Sequence, residues 1–190
     1  SSDQLEKDNM EVTSFSLLNV DSVPEEADCV LIYAPQSDIS EEESDMLADY
    51  VAGGGKLLVI AGPVPDASLD NLYSLIGHYG VTPAEGIVVE GDREHYAFQL
   101  PVALMPDMAS NEITDPLIEE NYYPIITIAQ GLNISDSAAA SGTTALLTTS
   151  DASFSKVAGY DMASYEKEDG DIDGPFAVAV SIEPGSGGQI

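Results

Sequence analysis

The sequence predicts an α/β domain on a mostly parallel sheet with helices on both faces. Two observations carry this. Residues 29–34 (CVLIYA) and 56–61 (KLLVIA) are apolar runs without polar alternation, the pattern of strands buried on both faces. Each is followed by a segment with apolar residues at helical spacing, 40–52 and then 68–79, so strand and helix alternate as in crossover units. The 190 residues suffice for one domain with its own core, and we expect a single α/β domain over 1–190.

In chain order, residues 2–9 read as a polar helix end, 11–17 as a strand and 20–27 as a loop containing Pro24. In the helix over 40–52, Met46, Leu47, Tyr50 and Val51 share one side. In the helix over 68–79, Leu69, Leu72, Leu75 and Ile76 do the same, and Gly80 ends it. The second half predicts short strands at 86–90, 123–129, 143–148 and 176–182, with an extended stretch at 100–106, a short helix or turn at 113–120, and a small-residue loop at 135–142. Residues 150–174 are expected to form an acidic mobile loop.

Gly53, Gly54 and Gly55 raise the question of a phosphate site. A phosphate cradle sits between a strand and the start of the next helix, where free N–H groups and the helix dipole face the anion. Here that loop is Pro35-Gln36-Ser37-Asp38-Ile39-Ser40, without glycine or lysine. Ser40 with Glu43 forms a capping box that occupies the helix donors. Glu41 and Glu42 add negative charge, each favouring the helix by roughly 0.3–1 kcal/mol and repelling a phosphate. The glycines follow the helix, where a positive φ closes its last turn.

Thirty-four acids against five bases give a net charge of −29, which repels nucleic acid and anionic lipid. It suits a hydrated surface, salt tolerance or a cationic partner. The 44% hydrophobic content marks a globular chain. Cys29, the single cysteine, precludes an intrachain disulfide and is expected to be a buried small side chain. No stretch approaches the roughly 18 apolar residues of a membrane span. The first residue is Ser1 and the last residues are glycine-rich, so we expect a segment of a longer protein.

Cys–His or Ser–His catalysis needs a nucleophile on a tight strand-to-helix bend with a base beside it. Cys29 begins a strand, His78 lies at a helix end and His95 in a polar loop, so no catalytic residue is expected. Asp169, Asp171 and Asp173, followed by Gly174, match the first positions of a calcium loop, but Val180 stands where its glutamate belongs. A solvated acidic loop is the first reading of these three aspartates, and a weak calcium site the second.

The order of motifs resembles the extracytoplasmic domain of GldG-like auxiliary proteins of gliding-motility-type ABC transporters. The resemblance runs through VPEEADCVLIYAP (23–35), ISEEE (39–43), YVAGGGKLL (50–58), LYSLIGHYGV (72–81), GIVVE (86–90), EITDPL (112–117), LLTTS (146–150) and GPF (174–176). It implies a flavodoxin or class I glutamine-amidotransferase-like three-layer sandwich whose first strand precedes Ser1. It also implies an ABC permease and ATPase as partners, and placement outside the cytoplasm of a bacterial cell. On that fold a small ligand or cell-envelope component would bind beyond the carboxyl ends of the strands, where Gln36, Ser37 and Asp66 are the candidate contacts. The expected function is a non-enzymatic binding or scaffold domain without a cofactor. The alternatives are a hydrolase or amidotransferase relative and a calcium-dependent surface module.

Overall fold

A computed structural model describes residues 2–185 and 187–190. The chain opens with helix α1 (Ser2–Lys7), and residues 10–16 then run without regular structure to a 3-10 turn at Leu17–Asn19. The strand expected over 11–17 does not form; Met10, Val12 and Phe15 stand exposed there. A parallel unit follows: β1 (Val30–Tyr33), α2 (Glu41–Ala52) and β2 (Leu57–Ile60), with Val30 opposite Leu57 and Tyr33 opposite Ile60.

The predicted capping box starts α2. The Glu43 N–H donates to Ser40 Oγ at 3.1 Å, and the Ser40 N–H donates to Glu43 Oε2 at 2.9 Å. Gly54, at φ 96°, turns the chain out of the helix, and the Gly55 N–H returns to the Tyr50 carbonyl at 2.9 Å. The next helix, α3 (Asp70–Gly77), takes its cap from afar. Asp38 in the loop after β1 accepts from the Asn71 N–H at 2.7 Å and the Leu72 N–H at 3.1 Å. Both helix N-termini beyond the carboxyl ends of β1 and β2 are therefore filled by the protein's own side chains.

The mostly parallel three-layer sandwich is corrected by the rest of the chain. Strands β3 (Val81–Pro83), β4 (Ile87–Val89), β5 (Ala103–Leu104) and β6 (Asp107–Met108) precede α4 (Asp115–Glu119). Then come β7 (Ile126–Thr127), β8 (Leu132–Ile134), α5 (Asp136–Ala139) and β9 (Thr143–Thr148). Last are β10 (Phe154–Lys156), β11 (Ile172–Asp173) and β12 (Ala177–Ile182). The largest sheet has the order β3-β8-β12-β9-β6, and every pairing in it is antiparallel. Smaller antiparallel sheets join β11-β10-β4 and β5-β7. Parallel pairing needs a crossover of a dozen or so residues, commonly a helix. After Gly77 the described helices are α4 with 5 residues and α5 with 4, too short to carry the chain back across a sheet.

Burial on both faces is corrected too. Val30 and Leu57 pack with Leu47, Val51, Leu75 and Val23 under α2, while Leu31, Tyr33, Leu58 and Ile60 point away and stay exposed. Cys29, expected in the core, lies one residue before β1 and is exposed. A second cluster joins Ala84, Val88, Leu104, Ala129 and Phe176; a third joins Ile87, Val89, Val102 and Phe154. All three residues of β4 are buried, Val88 in the second cluster and its two neighbours in the third.

Residues 189–190 tie the halves together. The Leu57 N–H donates to the Gln189 carbonyl at 2.8 Å, while Ile190 and Ile182 exchange two backbone bonds of 2.9 and 2.7 Å. The tail thus lies against β2 on one side and β12 on the other.

Candidate ligand-binding cleft

Beyond the carboxyl ends of β1 and β2 the chain makes two tight loops. Ala34, at φ 46°, turns out of β1 while its N–H holds the Ile60 carbonyl at 2.7 Å. Gln36 Nε2 donates back to the Ala34 carbonyl at 3.1 Å, and Gln36 and Ser37 are exposed. Asp66 is exposed in the loop after β2, at φ 56°. None of these three expected contacts lines either of the two clefts described below.

The loop after β2 is tied to the wall of a cleft through Tyr160. A hollow of about 370 Å³ is lined by Ile87, Val102, Ile128, Tyr160, Met162, Ala163, Ser164 and Tyr165. Its walls are mainly apolar and aromatic with three hydroxyls, those of Ser164 and the two tyrosines, a make-up that suits a small-ligand site. The Tyr160 hydroxyl donates to the Pro63 carbonyl at 2.9 Å, tying the wall to the carboxyl end of β2. Ile128 has φ 55°, a region that a β-branched side chain rarely enters and that clusters at functional sites. Its N–H is held by the Val102 carbonyl at 3.0 Å. A Cβ at Gly62 would stand 3.4 Å from the Ile128 carbonyl, an ordinary contact distance, so the two segments run side by side there.

The outer wall comes from residues 160–165, inside the stretch read from sequence as an acidic mobile loop. That stretch contains β10, a 3-10 turn at Gly159–Asp161 and β11. Its anchor is Lys156, fully buried at the end of β10. Lys156 Nζ donates to the Glu166 carbonyl at 2.8 Å and to Glu168 Oε2 at 2.7 Å, and lies 3.4 Å from Asp171 Oδ2. The Glu168 hydrogen bond holds the ammonium pKa above its ordinary value; burial opposes this, and Asp171 adds to the rise. Burial pushes the Asp171 carboxyl up, but the Glu168 and Val157 N–H groups and Lys156 outweigh it and hold it below the usual range.

The three aspartates of the calcium-like motif are thus dispersed. Asp171 faces Lys156, Asp173 pairs closely with Lys167, and Asp169 is exposed. Among the described residues no group of three His, Cys, Asp or Glu side chains is placed to hold a metal ion.

A second cleft of about 530 Å³ is polar, lined by Asp92, His95, Asp107, Thr148, Thr149, Ser150, Asp151, Ala152 and Pro175. His95 Nδ1 lies 3.0 Å from Asp92 Oδ2, and Nε2 lies 3.5 Å from Asp107 Oδ1. Beneath them Glu90 is buried and accepts from the Ser150 hydroxyl at 2.5 Å, the Ser150 N–H at 3.1 Å and the Asp92 N–H at 3.0 Å.

Burial pulls the His95 pKa down, but the Asp92 hydrogen bond and the charges of Asp107, Asp92 and Glu90 outweigh it, so the net shift is upward. A raised folded-state pKa stabilises in full below about pH 6.5 and loses that contribution as pH rises through the folded value. Urea unfolding across neutral pH is therefore expected to show a loss below about 1 kcal/mol towards the alkaline side, because Asp107 is largely exposed. His95→Gln removes that loss; the same slope in the variant would refute the assignment.

Of the remaining sequence candidates, Cys29 Sγ contacts its neighbour's carbonyl, Val30 O, at 3.7 Å, and His78 stacks edge-on against Tyr79 with centroids 5.6 Å apart. Sequence reading missed the apolar cleft because its walls come from positions 87, 102, 128 and 160–165. The available signal was the apolar cluster Tyr160, Met162, Ala163 and Tyr165 within an otherwise acidic stretch.

The profile of the family described as "ABC-type uncharacterized transport system" matches residues 2–184. Among curated proteins none matches the chain. Among solved structures, the mmIFT52 N-terminal domain is similar over 66% of this chain, with a TM-score of 0.50 and 18% identity. This chain spans 54% of that structure's length, and the likeness concerns the fold alone.

Proposed function

The chain belongs to the family of ABC-type uncharacterized transport system auxiliaries, and from that membership we propose that it is a non-catalytic binding domain, outside the cytoplasm, beside an ABC permease and ATPase. No described helix is long and apolar enough to cross a membrane. The observation that carries the binding role is the apolar cleft between Ile87 and Tyr165, with Ile128 held at positive φ in its wall. Its volume lies at the small end of ligand sites. The lining favours an uncharged ligand with an apolar or ring-shaped part, over which Tyr160 and Tyr165 present faces and edges. The non-catalytic part rests on where the reactive groups point. Both nitrogens of His95 face carboxylates, the Ser150 hydroxyl donates to Glu90, and Cys29 contacts a neighbouring carbonyl.

The test is an NMR screen with small ring-bearing fragments, comparing the wild type with Ala163→Trp, which plugs the cleft from an exposed position. Fragment-induced shifts are expected at the amides of Ile87, Val102 and Ile128 and are lost in the variant. Fragments that bind both proteins alike, or that shift amides elsewhere, would remove the cleft from the proposal.

A further inference from the structure

We propose that the uncovered face of the parallel pair β1–β2 is a docking surface for a basic amphipathic helix of a partner protein. Leu31 is 43% exposed, Tyr33 68%, Leu58 51% and Ile60 47%. Leu31 stands opposite Leu58 and Tyr33 opposite Ile60, so the four side chains form two adjacent cross-strand pairs and one continuous patch. None of them lines the cleft.

Parallel strands joined by helical crossovers are covered on both faces, and helices are what cover them. Here α2 covers one face, with Leu47 and Val51 on Val30 and Leu57. The opposite face offers the same strands and a similar apolar footprint without a helix. Among the described residues β1 pairs with β2 alone, so its other edge carries no strand.

Charge selects among possible occupants. Glu25, Glu26 and Asp28 are exposed just before β1, and Asp66 is exposed beyond the end of β2; Lys56 is the base that enters β2. The whole chain carries 34 acids and 5 bases. A second copy would bring the same −29 against an equally acidic chain, and an anionic lipid surface would be repelled. A helix with an apolar stripe for the four side chains and Lys or Arg along its borders meets both demands.

The probe is a fluorescent synthetic peptide of about 18 residues with a leucine stripe and a lysine face. Two counterparts serve as controls, one with glutamate replacing lysine and one with serine replacing the leucines. Anisotropy is read at about 0.15 M salt, with the wild type and the neutral double variant Leu31→Gln/Leu58→Gln. Both positions are exposed, and an unchanged melting curve confirms that the variant folds. The lysine–leucine peptide is expected to bind at least about tenfold more tightly to the wild type than to the variant, and neither control peptide to match it. Equal binding by wild type and variant would mean diffuse attraction to an acidic surface and would overturn the proposal, as would binding of the glutamate peptide. Absence of peptide binding, with sedimentation showing a dimer that the double variant abolishes, would assign the face to a second copy instead.

Discussion

Lys156→Ala is expected to release residues 157–173 and to lower the melting temperature by more than about 5 °C. The ammonium is fully buried, and its partners Glu166, Glu168 and Asp171 are all 10 to 15 residues further along the chain. Removing it strands Asp171, whose side chain is almost fully buried, as a carboxylate without its cation. Breaking one side of a buried pair costs far more than the pair contributes when intact. Hydrogen exchange is the direct measurement. The Val157 and Glu168 amides, both held by Asp171, lose their protection, while amides of α2 keep theirs. The double variant Lys156→Met/Asp171→Asn is expected to recover part of the loss, because it removes both charges together. Protection at Val157 that survives Lys156→Ala would show that the lysine is not the latch. The pH window follows from the two shifts. The raised Lys156 pKa stabilises below its ordinary value and is lost as pH climbs through the folded one; the lowered Asp171 pKa stabilises above its ordinary value and is lost as pH falls through the folded one. The latch is therefore fully engaged across the neutral range.

Phe176→Ala is expected to cost about 3–5 kcal/mol, a large share of the roughly 5–15 kcal/mol that holds a typical domain together. The ring packs with Ala84, Val88, Leu104 and Ala129, so it joins β4 and β5 to the start of β12. It also fills the space above Gly131, where a Cβ would come within 2.4 Å of Phe176 Cδ1. The backbone around it is fixed by the Thr149 N–H donating to the Phe176 carbonyl at 2.9 Å and the Phe176 N–H donating to Thr149 Oγ1 at 2.8 Å. The neighbouring chain thus has little room to collapse into the cavity. Urea unfolding followed by circular dichroism measures the loss, and Phe98→Ala is the control. Phe98 is 80% exposed, and its truncation is expected to change stability by less than about 0.5 kcal/mol. Equal costs at the two positions would refute the packing account.

Local signals in the sequence marked the elements they act on directly. The Ser40–Glu43 pair started α2, the glycine run ended it, and the apolar runs became β1 and β2. What failed was inference from continuity to burial. Four apolar residues in a row say that both faces of a strand are apolar, and Leu31 and Leu58 show that one face can still be left open. Direction of pairing was hidden for another reason. The later strands are mostly two or three residues long, too short for a periodicity, and their partners are set by contacts far along the chain, such as Phe154 with Val89. The Asp38 cap on α3 spans 33 positions. The cleft gathers residues from four separate stretches, and the strained backbone at Ile128 has no signature in composition.

The short tail that lies between β2 and β12 has a mechanical consequence. A pull on Ile190 is shared at once by the parallel pair through Gln189 and by the large antiparallel sheet through Ile182. Tension arriving at that end is divided between two sheets before either has to give, and a twist of one is handed to the other through a single strip of backbone.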